Sequence, residues 1–161
     1  MTFSPIEIAT AYHEAGHAAL AIALGRAVQR VTVAPNELRL GQCQFKKGTV
    51  RASQDALETQ ILVLLGGLAA EAGQTGLYDS AGAAQDLRDV RKLTSGRAKN
   101  QRQAERLERR LLDKAEHILS QPGVWLAVER IAAELLRCTT LSGRAAHHLY
   151  NQAIAEAERE R

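Results

Sequence analysis

Near the start of the chain stands Ser4-Pro5-Ile6-Glu7-Ile8-Ala9-Thr10-Ala11-Tyr12-His13-Glu14-Ala15-Gly16-His17, which runs on through Ala18 to Leu24-Gly25. A hydroxyl residue, a proline directly after it and a glutamate three positions on mark a helix N-terminus. The Ser4 side chain can accept a backbone N–H, Pro5 has no N–H to leave unpaired, and Glu7 can reach back to the N–H of Ser4. A helix is therefore predicted from Pro5 to Leu24, stopped by Gly25, with about 20 residues and five to six turns.

Inside this helix stands His13-Glu14-Ala15-Gly16-His17, an HExxH pattern. Four residues advance a helix by about 400°, so His13 and His17 project from nearly one direction, a turn apart, and two imidazoles can reach one ion. Zinc suits them, because its filled d shell imposes no geometry and its bonds to nitrogen are ~2.0 Å long. Glu14 is offset by about 100°, beside such an ion rather than on it, where it can hold a water and take its proton. Gly16 is a poor helix former by about 1 kcal/mol against alanine, which predicts that another element packs closely there.

A catalytic zinc takes three protein ligands and keeps one open position. The extended pattern HExxHxxGxxH is absent, since Ala23 stands where its last histidine would be. The third ligand must then come from further along the chain. Glu71, Asp79, Asp86 and Asp89 are the candidates, and spacing alone does not choose among them. His117, His147 and His148 lack any comparable setting and read as surface or satisfied core histidines.

Outward from this helix, Val28, Val31 and Val33 lie among polar residues, Pro35-Asn36 offers turn chemistry, and Leu38, Leu40, Cys43 and Phe45 follow; together they predict a β-hairpin or small sheet over residues 28 to 45. A second helix is predicted from Ser53 to Gly73. Its centre, Ile61-Leu62-Val63-Leu64-Leu65, is apolar all round and should be the buried middle of the fold. A loop from Gln74 to Ala81 precedes a third helix starting near Ser80, which either continues or breaks at Ser95-Gly96. Helices from Arg97 to Ser120 and from Val124 to Arg137, then one after Ser142-Gly143, complete the reading.

With 161 residues, 45% hydrophobic, 24% charged and 4% aromatic, the chain reads as one globular domain over 1–161, rich in aliphatic helix. So few aromatics disfavour a stacking surface for single-stranded nucleic acid. The longest stretch without a charge or strong polar group, Ile61 to Ala70, is ten residues against the roughly 20 of a bilayer crossing, and no secretory signal opens the sequence. A cytoplasmic protein with no membrane contact is the expectation, with Cys43 and Cys138 reduced and buried. The net charge is +3, yet nine basic and three acidic residues fall between Arg88 and Arg110. That strip reads as a solvated helix face; binding of a polyanion, with the metal structural, is the alternative.

Four blocks carry a resemblance. Tyr12-His13-Glu14-Ala15-Gly16-His17-Ala18, then Val31-Thr32-Val33-Ala34-Pro35, then Leu65-Gly66-Gly67-Leu68-Ala69-Ala70-Glu71, then Ser80-Ala81-Gly82-Ala83-Ala84-Gln85-Asp86-Leu87 resemble, in order and spacing, the peptidase domain of FtsH-type ATP-dependent zinc proteases. The likeness is clear from about Ile6 to Leu93 and weaker through Trp125 to Leu141-Ser142-Gly143. It implies His13, His17 and Asp86 as zinc ligands, Glu14 as catalytic base, and Glu71 as a supporting acid close to the metal. The rival reading of Glu71 is a solvated glutamate at a helix end. Leu68, Ala81 and Gln85 stand where the family has arginine, threonine and asparagine, and none is an implied ligand.

The expectation is a mainly α, zincin-like fold with a small β-hairpin or sheet beside the HExxH helix, acting as a zinc metalloendopeptidase on unfolded or flexible polypeptides. No GxxxxGK[ST] phosphate loop occurs in the sequence, so cleavage is expected to be ATP-independent, on substrate already flexible or delivered by a separate ATPase or adaptor. The free edge of the hairpin is expected to pair with extended substrate. A non-catalytic zinc-binding adaptor or regulator is the other alternative. Subunit number is left open among monomer, dimer and hexamer.

Overall fold

A computed structural model describes residues 2–35, 41–46 and 55–161 of the chain. The helix predicted from the opening stretch is α1, Pro5–Ala23, and its first turn is built as the sequence requires. The Glu7 backbone N–H donates to Ser4 Oγ at 3.1 Å while the Ser4 N–H donates to Glu7 Oε2 at 2.7 Å. Gly25, at φ 82°, takes the left-handed conformation that ends the helix one residue past Leu24.

Two strands follow, β1 (Val28–Thr32) and β2 (Gln42–Phe45), paired antiparallel with Val31 opposite Cys43. Asn36 of the predicted turn, and Leu38 and Leu40 that follow it in the predicted hairpin, lie outside the described residues, as does the predicted helix start at Ser53. The hairpin is extended by a third strand that the sequence reading lacked, β3 (Thr140–Ser142), so the order across the sheet is β2-β1-β3. Three residues are too few for alternation to register as a strand signal; β3 exists because Leu141 reaches Val31 across the sheet.

Helix α2 spans Ala56–Thr75, capped by Asp55, whose side chain accepts the N–H groups of Leu57 and Glu58. It runs past the predicted stop at Gly73 to Gly76, which holds φ 82°. The length and hydropathy of α2 alone would suffice to cross a bilayer, yet Ile61, Leu62, Val63, Leu65 and Ala70 are buried in the core. Helices α3 (Ala84–Arg97) and α4 (Gln101–Leu119) pack on α2, and α5 (Pro122–Cys138) packs on α1, with α6 (Gly143–Arg159) outside it against β1. Helix α3 starts four residues later than predicted because the Asp79 side chain accepts the Gly82 N–H at 2.9 Å, shaping 80–83 as a turn. It passes through Gly96 and ends at Arg97, where Asn100 caps the next helix. Pro122 does not merely end α4; it is the first residue of α5.

The architecture is thus mainly α, with six helices and one small antiparallel sheet among the described residues. The tightest approach of one helix to another is the crossing of α1 and α2. A β-carbon at Gly16 would stand 2.3 Å from the Gly66 carbonyl oxygen and 2.4 Å from Ala70 Cβ. This is the close packing that the glycine in HExxH predicted. Cys138 corrects the expectation of buried thiols: it lies exposed at the end of α5, donating to Glu134 at 3.4 Å, while Cys43 is half-buried.

Candidate metal centre

His13 and His17 face α2 from the middle of α1, and both are buried, with 8% and 6% of their surface exposed. Burying two imidazoles requires partners for all four ring nitrogens. His13 Nδ1 lies 3.0 Å from Glu71 Oε2 near the C-terminal end of α2. His17 Nδ1 lies 2.7 Å from the carbonyl oxygen of Val63 on the same helix. A carbonyl only accepts, so His17 carries its proton on Nδ1 and, in the neutral ring, presents a bare lone pair at Nε2. The carboxylate of Glu71 selects the same tautomer for His13.

Both Nε2 atoms then converge on one oxygen. Asp86 Oδ2, from the first turn of α3, is 2.9 Å from His13 Nε2 and 3.0 Å from His17 Nε2. The rings stand edge to face, with centroids 4.8 Å apart and planes at 80°. Two lone pairs aimed at a carboxylate oxygen repel unless positive charge lies among them. The trio is also the only set among the described residues whose ligand atoms gather within 4.8 Å. Of the four acids that spacing left open, the structure brings Asp86 to both rings and Glu71 behind one of them. Asp79 is engaged with Gly82, and Asp89 accepts from Gln85 at 3.0 Å.

The field of the site favours a cation. Burial works against charge on His13, but hydrogen bonds to Asp86 and Glu71 and the fields of Glu14 and Asp86 outweigh it and raise its pKa. Burial likewise opposes charge on Asp86, yet the field of His17 and the hydrogen bonds that the rings donate when protonated at Nε2 hold its carboxyl far below the usual range. Two nitrogens and a carboxylate oxygen are a donor set that zinc accepts. Tetrahedral bonds of ~2.0–2.1 Å place neighbouring ligand atoms roughly 3.3 Å apart, a few tenths of an ångström beyond the separations found here.

Space for an ion comes from Gly67, a contributor the sequence reading did not single out. A β-carbon on it would lie 2.5 Å from His13 Nε2 and 2.6 Å from His17 Nε2, filling the cradle in front of both rings. The available signal was a glycine pair, Gly66-Gly67, in the middle of an otherwise strongly helical run, where each costs about 1 kcal/mol. The Val63 carbonyl left no such signal, being backbone. Gly41, just ahead of β2, is the third unforeseen contributor: a β-carbon there would meet Glu14 Cγ at 2.8 Å. Glu14 is itself buried, at 6% exposure, and borders with His13, Glu71 and Asp86 a cleft of about 440 Å³.

Residues 6–117 match Peptidase family M41. The ATP-dependent zinc metalloprotease FtsH of Chlamydia trachomatis serovar L2 is 39% identical over 89 residues, which is 52% of this chain and 10% of that protein. The chain thus spans about a tenth of the relative's length. The matched residues hold the α1–α2 crossing, Asp86 and the cleft among them, and so the chain belongs to peptidase family M41 and carries a peptidase domain of the FtsH type.

Proposed function

We propose that this chain is a zinc-dependent endopeptidase domain that hydrolyses peptide bonds of flexible polypeptides, with His13, His17 and Asp86 as metal ligands and Glu14 as general base. One observation carries the reading: both Nε2 atoms turn to Asp86 Oδ2 while both Nδ1 atoms are held from behind by Glu71 and the Val63 carbonyl. When bound, zinc supplies Lewis-acid polarisation of the peptide carbonyl and of the attacking water. Glu14 takes a proton from that water and passes it to the leaving amine, so one carboxylate serves both transfers. Glu71 accepts the Nδ1–H of His13 and keeps the Nε2 lone pair of that ring facing the site.

Substrate reaches Glu14 along the sheet. Among the described residues β2 is an edge strand, and Gly41 just ahead of it lies against the Glu14 side chain. An extended chain that pairs with this edge through its backbone is delivered beside the base with little regard for its side chains. We take 1–161 as one functional unit, because α5, beyond the matched residues, rests on α1. A separate ATPase or adaptor would present folded substrates. Two free cysteines, Cys43 and Cys138, fit a reducing cytoplasmic setting.

Native mass spectrometry with metal analysis and a quenched-peptide assay tests the proposal. The expected result is one zinc per chain, retained in Glu14→Gln while hydrolysis falls by roughly 10²–10⁴-fold. Asp86→Ala loses the metal, and Asp79→Ala and Asp89→Ala keep it. Undiminished cleavage by Glu14→Gln removes the base assignment, and a metal-free native protein indifferent to chelators removes the whole reading.

A further inference from the structure

A second cavity, larger than the metal cleft at about 910 Å³, opens where the C-terminal ends of α2 and α4 meet α5 and α6. Its bed is apolar, formed by Ala69 and Ala72 of α2, Leu119 of α4, Trp125 and Leu126 of α5 and Ala157 of α6. Trp125 is built into this wall. Its ring lies against α2 at Gly73, where a β-carbon would meet Trp125 Cη2 at 2.8 Å, and the other side of the wall is braced by Tyr12, 6.0 Å between centroids. Large apolar side chains that face water are few, and two of the three among the described residues, Leu77 and Tyr78, belong to the loop bordering this cavity.

The rim has a sign. Glu116, Glu129 and Glu160 line it against a single guanidinium, that of Arg161, although the chain as a whole carries +3. Glu116 is held in place by the Tyr78 hydroxyl, which donates to its carboxylate. An occupant complementary to this site therefore joins apolar side chains to basic ones.

The position of the cavity says what the occupant belongs to. Ala72 and Tyr78 line the second cavity, while their sequence neighbours Glu71 and Asp79 line the metal cleft. Residues adjacent in sequence thus border the two, at the same end of α2 and on the same loop, which puts both within the reach of one extended polypeptide. We propose that this acidic, apolar cavity is a substrate-docking site, which seats a segment of apolar and basic side chains in the polypeptide being cleaved, away from the scissile bond. The inference rests on the peptidase reading above for the word substrate, and on the cavity itself for the docking.

Trp125 is the only tryptophan in the chain, so its fluorescence reports the cavity directly. The probe is a twelve-residue peptide of leucine and lysine, with its leucine–glutamate counterpart as control. The lysine peptide is expected to change Trp125 emission saturably, the control not to, and Glu129→Lys/Glu160→Lys to weaken binding at least tenfold. In hydrolysis, adding the leucine–lysine segment to a short quenched substrate lowers KM at least fivefold with kcat unchanged, and the double variant loses that advantage while cutting the short substrate normally. No saturable signal, equal binding of the glutamate peptide, or a double variant that binds as tightly would overturn the docking site. Docking without hydrolysis of any substrate sinks the peptidase reading, and with it the substrate role, but leaves the cavity a binding site. Hydrolysis with no docking does the reverse.

Discussion

Gly67 lies so close to His13 that a β-carbon on it would stand 2.5 Å from Nε2, nearer than any non-bonded carbon tolerates. The cradle that could hold a metal ion is thus defined as much by a missing side chain on α2 as by the side chains of α1. Gly67→Ala should raise helix propensity by about 1 kcal/mol and yet cost the site its ion. We expect zinc affinity to fall at least a hundredfold with the helical circular dichroism unchanged. Full zinc occupancy in this variant would show that the cradle lies elsewhere.

On the proposed reading Glu71 acts through His13. Replacing it by leucine leaves the buried Nδ1–H without its 3.0 Å partner and frees the ring to change tautomer. Loss of such a partner typically costs 10–100-fold in metal affinity, and competition against a chromophoric chelator should read a drop of that size. Glu71→Gln, which keeps an acceptor, should recover part of it. An affinity equal to the native value in both variants would make Glu71 a bystander.

The crossing of α1 and α2 sets a contrast between two glycines. Gly16 has the Gly66 carbonyl 2.3 Å from where a β-carbon would go, whereas nothing lies within 4 Å of that position at Gly96. Gly16→Ala should destabilise the chain by about 1–3 kcal/mol through overpacking. Gly96→Ala, in the exposed last turn of α3, should stabilise it by about 0.5–1 kcal/mol. Urea denaturation of both variants beside the native protein checks the pair, and equal shifts would refute the close approach.

Stripped of metal, the site should make stability depend on pH in a defined sense. His13 is raised to about 10 in the folded chain: burial opposes its charge, and Asp86, Glu71 and Glu14 outweigh burial. A raised histidine contributes its full stabilisation below its unfolded value near 6.5 and loses it as pH climbs through 10. Asp86 is depressed, so its contribution is present above the ordinary carboxylate range near 3.9 and is lost as pH falls below it. The chelated protein should therefore melt highest between about pH 4 and 6.5 and lose stability towards alkali. Zinc must displace the His13 proton, so its apparent affinity should rise with pH. A flat alkaline limb in thermal melts of the chelated chain would contradict this.

Much of the fold was legible because its signals are local. Ser4, Pro5, Glu7 and Gly25 delimit α1 by capping chemistry that involves no distant residue, and Ile61 to Leu65 announce burial by being apolar all round. The late start of α3 has a local cause in Asp79 and Gly82, but two other misjudgements lie where a distant group intervenes. Gly73 reads as a stop but sits inside α2, because the Trp125 ring needs its bare backbone. Strand β3 is three residues whose pairing with β1 reaches across more than a hundred positions of chain.

The amino-acid sequence by itself determined that two imidazoles and a carboxylate share one stretch of helix, since a four-residue step and a capped N-terminus follow from backbone geometry alone. Spacing left four acids open for the next place, because distance along a chain says nothing of distance in space, and only the resemblance of the Ser80 to Leu87 block implied Asp86. Only the tertiary structure decided that Asp86 faces both rings, that Glu71 and the Val63 carbonyl stand behind them, and that Gly67 leaves room between. Those choices depend on how closely α2 lies on α1 and where the turn at 80–83 aims α3, which are properties of packed volumes rather than of any local pattern.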